Sequence, residues 1–364
     1  MLIKNATLLN PGTEPGIYDI LVQNGKIARL EPELDVEDEL ELDVQGMFVT
    51  PGLVDAHTHL GLKADSEGPF YADHNEKKSI LSPEMRAIDA IDPQSVNFQE
   101  AREAGITTCA SGPGSLDVIG GQYACIKTAG TVIDDMVLDP YFAMKCALGE
   151  NPKKAYETTR MGIAATLRNF LFQARAYAQE PNRKFDMKLE PMIPVIRGEK
   201  ALKIHCHAPL DIVTAVRICD EFHLKFTLDH VTCGVEVLDF LQKRPEIPLL
   251  LGPSLGARGK VELHGKGFAN VVKLAENRDV CLITDAPVIP LQYLPICAGL
   301  AISKGMPYEK ALEAVTINPA RVMGVEARVG SLAPGKDGDV VIWKDRPFVV
   351  IQEPVAVFIN GERI

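Results

Sequence analysis

The pattern of apolar and polar positions changes period twice along the chain. The first fifty residues alternate: residues 1–9 read Met-Leu-Ile-Lys-Asn-Ala-Thr-Leu-Leu, and a strand places successive side chains on opposite faces. Residues 18–23 then meet Asn24-Gly25, a type I′ hairpin signal, and residues 26–30 return. The last forty residues behave alike, with strands at 339–343 and 355–359 and a second tight turn at Asn360-Gly361. Neither end has enough strands to bury a face alone, so the two predict one small composite β-sandwich. Between them, strand-like runs alternate with helical ones. The runs are 53–59, 106–110, 122–127, 142–148, 202–206, 226–230, 248–251 and 280–284. Helical spacing is plain in 98–104, which stops at Gly105, in 156–178, and in 211–222. Eight strands with crossover helices in this length predict an α/β fold, a (β/α)8 TIM barrel of parallel strands. The expected division is residues 1–50 with 325–364 as the β-sandwich and 51–324 as the barrel.

Composition narrows the function classes. A chain of 364 residues with 46% hydrophobic content can fill a barrel core. A net charge of -11 argues against nucleic acid or an anionic membrane as partner and leaves a small-molecule substrate. The acidic residues in segment 31–41 read as a solvated edge. No leader-like or membrane-spanning run is read, and the eight cysteines are scattered without a Cys-x-x-Cys pair. They read as reduced thiols of a cytoplasmic protein, and a homo-oligomer is expected.

The chemistry falls on strand ends. His57-Thr58-His59 closes the run 47–56, and period two points both imidazoles the same way. His205 and His207 end the fifth strand, His230 the sixth, and Asp285 the eighth. Five of the eight histidines thus stand where a barrel keeps its catalytic groups. Neutral imidazoles hold a borderline-soft divalent ion at roughly 2.0–2.1 Å and leave a position open for water. Zinc is expected, as one or two ions; manganese, iron or cobalt fit the same donors. The metal lowers the pKa of its water to about 7, and Asp285 is placed to shuttle the proton.

This set resembles the amidohydrolase superfamily, in its imidazolonepropionase-like and prolidase-like branches. Residues 51–59 (Pro-Gly-Leu-Val-Asp-Ala-His-Thr-His), His205, His230 and Thr284-Asp285 carry the resemblance. So do residues 316–321, the run 329–343 and residues 357–361. The resemblance implies a metal-dependent hydrolase acting on C–N bonds of amides, cyclic amides, N-acyl amino acids or dipeptides. It implies that His57, His59 and Asp285 hold the more buried metal, with the strand 5 and strand 6 histidines serving a second. Two points stay open. His205 and His207 share a parity; His205 better matches the family's ligand, with His207 as a substrate contact. A bridging group belongs near strand 4, either Lys145 as a carboxylated lysine or Glu150 as a plain carboxylate, unless the site takes one metal. Arg258 is placed to clamp a substrate carboxylate, and Lys127 to touch substrate or a carboxylate. His74, Tyr123 and His264 could line the mouth, but each reads more readily as an ordinary loop residue. A deaminase of an amino-heterocycle is the alternative activity, disfavoured because residues 208–211 lack the glutamate at the family's spacing. A non-catalytic scaffold is set aside because the ligand set is retained.

Overall fold

The computed structural model describes residues 1–37, 39–63 and 72–364. Residues 64–71, in the long loop expected after the first barrel strand, and Asp38 in the acidic segment lie outside the described residues.

The barrel strands are β1 (Leu53–Thr58), β2 (Ile106–Ser111), β3 (Ile119–Lys127), β4 (Val137–Ala147), β5 (Ala201–Cys206), β6 (Phe226–His230), β7 (Leu249–Leu251) and β8 (Val280–Leu282). They hydrogen-bond in chain order from β1 to β8. Loop bonds then draw the ends together: Asp285 N donates to His57 O at 3.2 Å and His59 N to Ala286 O at 2.8 Å. Asp55 completes the closure. Its Oδ2 accepts both the N–H and the hydroxyl of Thr284, at 2.9 and 2.7 Å, and its Oδ1 accepts His57 N–H at 2.9 Å.

All eight expected strands are present, but not all run the same way. β3 is antiparallel to both β2 and β4. The cause is chain length. Parallel neighbours need a crossover of about a dozen residues or more, whereas seven residues, 112–118, join β2 to β3. The reversal sends the C-terminal end of β3, and Lys127 with it, to the barrel floor.

Helices follow the apolar stripes. The helix Arg160–Gln179 starts at Thr159, whose hydroxyl accepts Gly162 N–H at 3.0 Å, and buries Ile163, Leu167, Phe170, Leu171 and Ala174. The helix Val96–Glu103 ends before Gly105, whose φ of +84° suits glycine. A Cβ at Gly105 would also stand 3.0 Å from Val341 and 3.3 Å from Trp343, so the residue lets the barrel approach the terminal strands. Among the described residues, no helix is long and apolar enough to cross a membrane.

Both chain ends join one sheet. Val340–Trp343 pairs with Phe48–Pro51, which pairs with Leu2–Leu8, so the last strands complete what the first begin. Asn24-Gly25 and Asn360-Gly361 all take positive φ, as type I′ turns require. Buried ions bolt this sheet to the barrel floor. Lys127 Nζ donates to Asp339 and lies 3.1 Å from Asp337, which also meets Lys26 at 2.8 Å and Arg328 at 2.9 Å. Of the two contacts expected for Lys127, substrate or a carboxylate, the structure shows the carboxylate, at the barrel floor and away from the mouth.

Burial works to raise the Asp337 carboxyl, but Lys26, Lys127 and Arg328 outweigh it and hold it at about 2. A carboxyl depressed on folding stabilises above its ordinary value near 3.8, and that stability fades as pH falls from about 4 to about 2. Asp337→Asn is expected to cost about 2 kcal/mol in urea unfolding at pH 7, with the gap to wild type closing below about pH 3.

Candidate metal centre

At the mouth, two groups of three donors face each other. His57, His59 and Asp285 form one, and His205, His207 and His230 the other; within each, the donor atoms lie within 4.8 Å of one another. The rings interlock. His57 and His230 have centroids 4.8 Å apart, and His230 stands 4.4 Å from His205 and 4.7 Å from His207.

The imidazoles are oriented from behind. His59 Nδ1 lies 2.7 Å from Gly112 O, and His230 Nδ1 lies 2.7 Å from Gly252 O. A carbonyl only accepts, so each Nδ1 carries the proton and each Nε2 presents a lone pair inward. His57 Nδ1 meets the Asp229 carboxylate at 2.8 Å, and His207 Nδ1 meets the Thr232 hydroxyl at 2.7 Å. Burial pushes His57 down to about 4 and His230 to about 3, so both are neutral near pH 7. His205 is likewise held neutral by burial beside His230 and His207.

This donor set fits divalent metal. Ligands at 2.0–2.1 Å around one tetrahedral ion stand roughly 3.3 Å apart. Asp285 Oδ1 lies 3.2 Å from His59 Nε2 and 3.4 Å from His57 Nε2. Among the described residues, both nitrogens of His205 and Nε2 of His230 are buried without a hydrogen-bond partner, a costly state unless a ligand takes the one lone pair each neutral ring offers. Burial works to raise the Asp285 carboxyl, yet it stays below its usual range in this cluster and is ionised near pH 7. Asp285 and His230 both have left-handed backbone, with φ of 56° and 76°, which turns the chain sharply at the ends of β8 and β6.

Of the two bridging alternatives, only Lys145 points here. Its Nζ stands 3.3 Å from His57 Nε2, fully buried on β4. Glu150 starts the helix Glu150–Ala155 and turns away. Its carboxylate accepts Glu262 N–H at 3.0 Å, while its own N–H donates to the Glu262 carboxylate at 2.9 Å. That reciprocal pairing uses Glu150 to dock the loop after β7 and removes it as a bridge.

One further group was not singled out from the sequence. Lys203, on the same face of β5 as His205, is wholly buried with Nζ 2.8 Å from Asp229 Oδ2. Its signal was a lone lysine inside an apolar strand. Tyr123 lies under the site with Lys145 and Lys203 5.6 and 5.4 Å from its ring centroid, and its hydroxyl is 3.4 Å from His59 Nδ1. His74 packs its ring 5.5 Å from that of His59. Arg258 is exposed on the loop after β7 and donates to Lys266 O at 2.9 Å; Lys266 itself is buried beside it. A groove of about 710 Å³, lined by Tyr293, Trp343, Phe348 and Ile351, touches none of these donors. Chemistry rather than volume marks the site.

Comparison with known proteins agrees with this picture. Residues 262–364 match the model of the Amidohydrolase family. A solved amidohydrolase from Thermotoga maritima MSB8 superposes with a TM-score of 0.95 at 33% identity, covering 100% of this chain and 99% of that one. Imidazolonepropionase from Thermoplasma volcanium is 26% identical over 89% of this chain and 83% of its own length. Amidohydrolase tasK from Hapsidospora irregularis is 25% identical over 94% of this chain, which spans only 39% of that protein.

Proposed function

The chain belongs to the amidohydrolase superfamily of metal-dependent hydrolases acting on C–N bonds, and we propose that it hydrolyses an amide, a cyclic amide or an N-acyl amino acid or dipeptide at a two-ion centre. The observation that carries this reading is the pair of three-donor groups facing each other, with Lys145 Nζ against His57 Nε2. His57, His59 and Asp285 would hold one ion, and His205, His207 and His230 the other. His207 thereby moves from substrate contact to ligand. When bound, divalent ions supply Lewis acidity that polarises a carbonyl and makes water more acidic. Asp285, ionised and at the edge of the site, takes the proton of the attacking water and returns it to the leaving nitrogen. Asp229, Gly112 and Gly252 fix the histidine tautomers. Lys260, Lys266 and Arg258, all on the loop after β7, favour a substrate bearing a carboxylate. Eight buried, unpaired cysteines support a reducing, cytoplasmic setting.

Lys145, once carboxylated, would supply the bridging carboxylate beside His57. Burial pushes its amine down to about 8, leaving roughly a tenth unprotonated at pH 7 and able to add carbon dioxide. Lys145→Ala is expected to retain one divalent ion fewer per chain than wild type in elemental analysis. ¹³C-bicarbonate should give wild type, but not the variant, a carbamate resonance. An unchanged ion count would remove Lys145 from the bridge.

The reading as a whole is tested by chelation. Metal-free protein should lose turnover of N-acyl amino acids, dipeptides and cyclic amides, and zinc or manganese should restore it. No hydrolysis of any of these by the metal-loaded protein would overturn the substrate class; ammonia release from amino-heterocycles would move the assignment to a deaminase.

A further inference from the structure

The three cations on the loop after β7 are not equivalent. Lys260 is already committed: its Nζ donates to Asn151 Oδ1 and lies 3.8 Å from the buried Glu262 carboxylate. Lys266 is only 8% exposed, yet its Nζ makes a single bond, to Ala257 O at 3.3 Å. An ammonium carries three N–H donors, so two are left over. Arg258 spends one donor on Lys266 O at 2.9 Å, which holds its guanidinium beside Lys266. Among the described residues, no carboxylate forms an ion pair with Lys266 or Arg258. A buried lysine is almost always paired, because burial without a counter-charge is costly. The missing partner is an anion.

Given the amide-hydrolase reading of the mouth, on which this rests, we propose that Lys266, with Arg258 beside it, binds a free carboxylate on the amine side of the substrate. The enzyme then selects N-acyl amino acids or dipeptides over their carboxamides and over uncharged cyclic amides. Lys266 shares space with the metal centre, since it lines one small cavity together with His230 and Ser254. Its loop also flanks Asp285: β7 hydrogen-bonds to β8, and Asp285 stands just past the end of β8. Charge agrees with this placement. Burial lowers the Lys266 amine, and Asp285 works against burial without an ion pair forming between them. Asp285 returns the proton to the leaving nitrogen, so a carboxylate one carbon from that nitrogen falls on the Lys266 side of the mouth.

The two cations divide the work. Lys266 is shielded from water, so its charge acts at low local dielectric and carries most of the discrimination. Arg258 is exposed and adds a planar fork that matches a carboxylate. A carboxamide or an ester brings no charge, and it leaves the Lys266 ammonium buried and unpaired. Selection therefore comes from that penalty as much as from the bond a carboxylate makes.

Paired probes test this on the metal-loaded full chain. N-acetylglycine and N-acetylglycinamide differ only in the carboxylate, and each is followed by turnover and by calorimetric binding. Wild type should favour the acid by about tenfold to a hundredfold in both. In Lys266→Met the ratio of acid to amide should collapse toward one, while the variant unfolds in urea no earlier than wild type, because it loses an uncompensated buried charge. The exposed variant Arg258→Ala, which leaves the buried lysine in place, should lower the ratio by about threefold or more. Metal ions also attract carboxylates, but equally in wild type and variants, so the change in ratio isolates the two side chains. Equal handling of acid and amide by wild type, or a preference that survives in Lys266→Met, would overturn the proposal while hydrolysis of both left the amide-hydrolase reading intact. If neither probe is hydrolysed, that reading loses this substrate class, and the binding ratio still decides whether Lys266 holds the carboxylate.

Discussion

Asp285→Asn is expected to lower kcat on a turned-over N-acyl amino acid by about 10²–10⁴, with KM little changed. Asparagine preserves the shape and an oxygen toward His57 and His59, but its amide cannot take a proton. The size follows from the role. A positioned acid–base group contributes about that factor, equal to roughly 3–5 kcal/mol of transition-state stabilisation. The native carboxylate is suited to the first half of the task because it stays ionised near pH 7 against the pull of burial. Metal analysis separates the two ways of losing activity. If the variant keeps its ions and loses kcat, proton transfer was lost; if the ion count falls in step with activity, Asp285 acts as a ligand only. Retention of more than a tenth of wild-type kcat would sink the proton-shuttle role.

The mouth was legible because its groups combine two strong local signals. An apolar strand gives the parity, and a histidine or aspartate at its end gives the donor, as at His57, His59, His205, His230 and Asp285. Direction was harder. Alternation of apolar residues is the same whichever way a strand runs, so β3 was read as parallel with its neighbours. The seven-residue link from β2 was the available sign, being hairpin length and too short for a crossover helix. Without it a substrate contact for Lys127 stayed open beside the carboxylate contact it makes, with Asp337 and Asp339 in the C-terminal segment that joins the terminal sheet. Glu150 failed differently. A carboxylate one residue past Gly149 can turn either way, and its partner Glu262 is 112 residues distant, beyond any local pattern. Lys203 and Asp229 share that difficulty, since their pairing exists only once β5 and β6 lie side by side.

That pair carries the second large effect. Asp229→Ala is expected to destabilise the fold by about 3–5 kcal/mol in denaturant unfolding, because it strands Lys203 as an uncompensated buried charge. The carboxylate is already committed. Burial opposes its ionisation, yet Lys203 and His57 overrule burial and hold it far below the ordinary range. Removing both charges should be milder than removing one, so Asp229→Asn with Lys203→Met should recover most of the stability lost by Asp229→Ala. Activity should not recover with it. In the double variant His57 Nδ1 no longer meets a carboxylate, and loss of such a partner weakens metal affinity by about 10–100-fold. The split separates the two duties of one side chain: folding depends on Asp229 through Lys203, and metal affinity depends on it through His57. A double variant that regained stability and metal affinity together would show that Asp229 only neutralises Lys203 and does not orient His57.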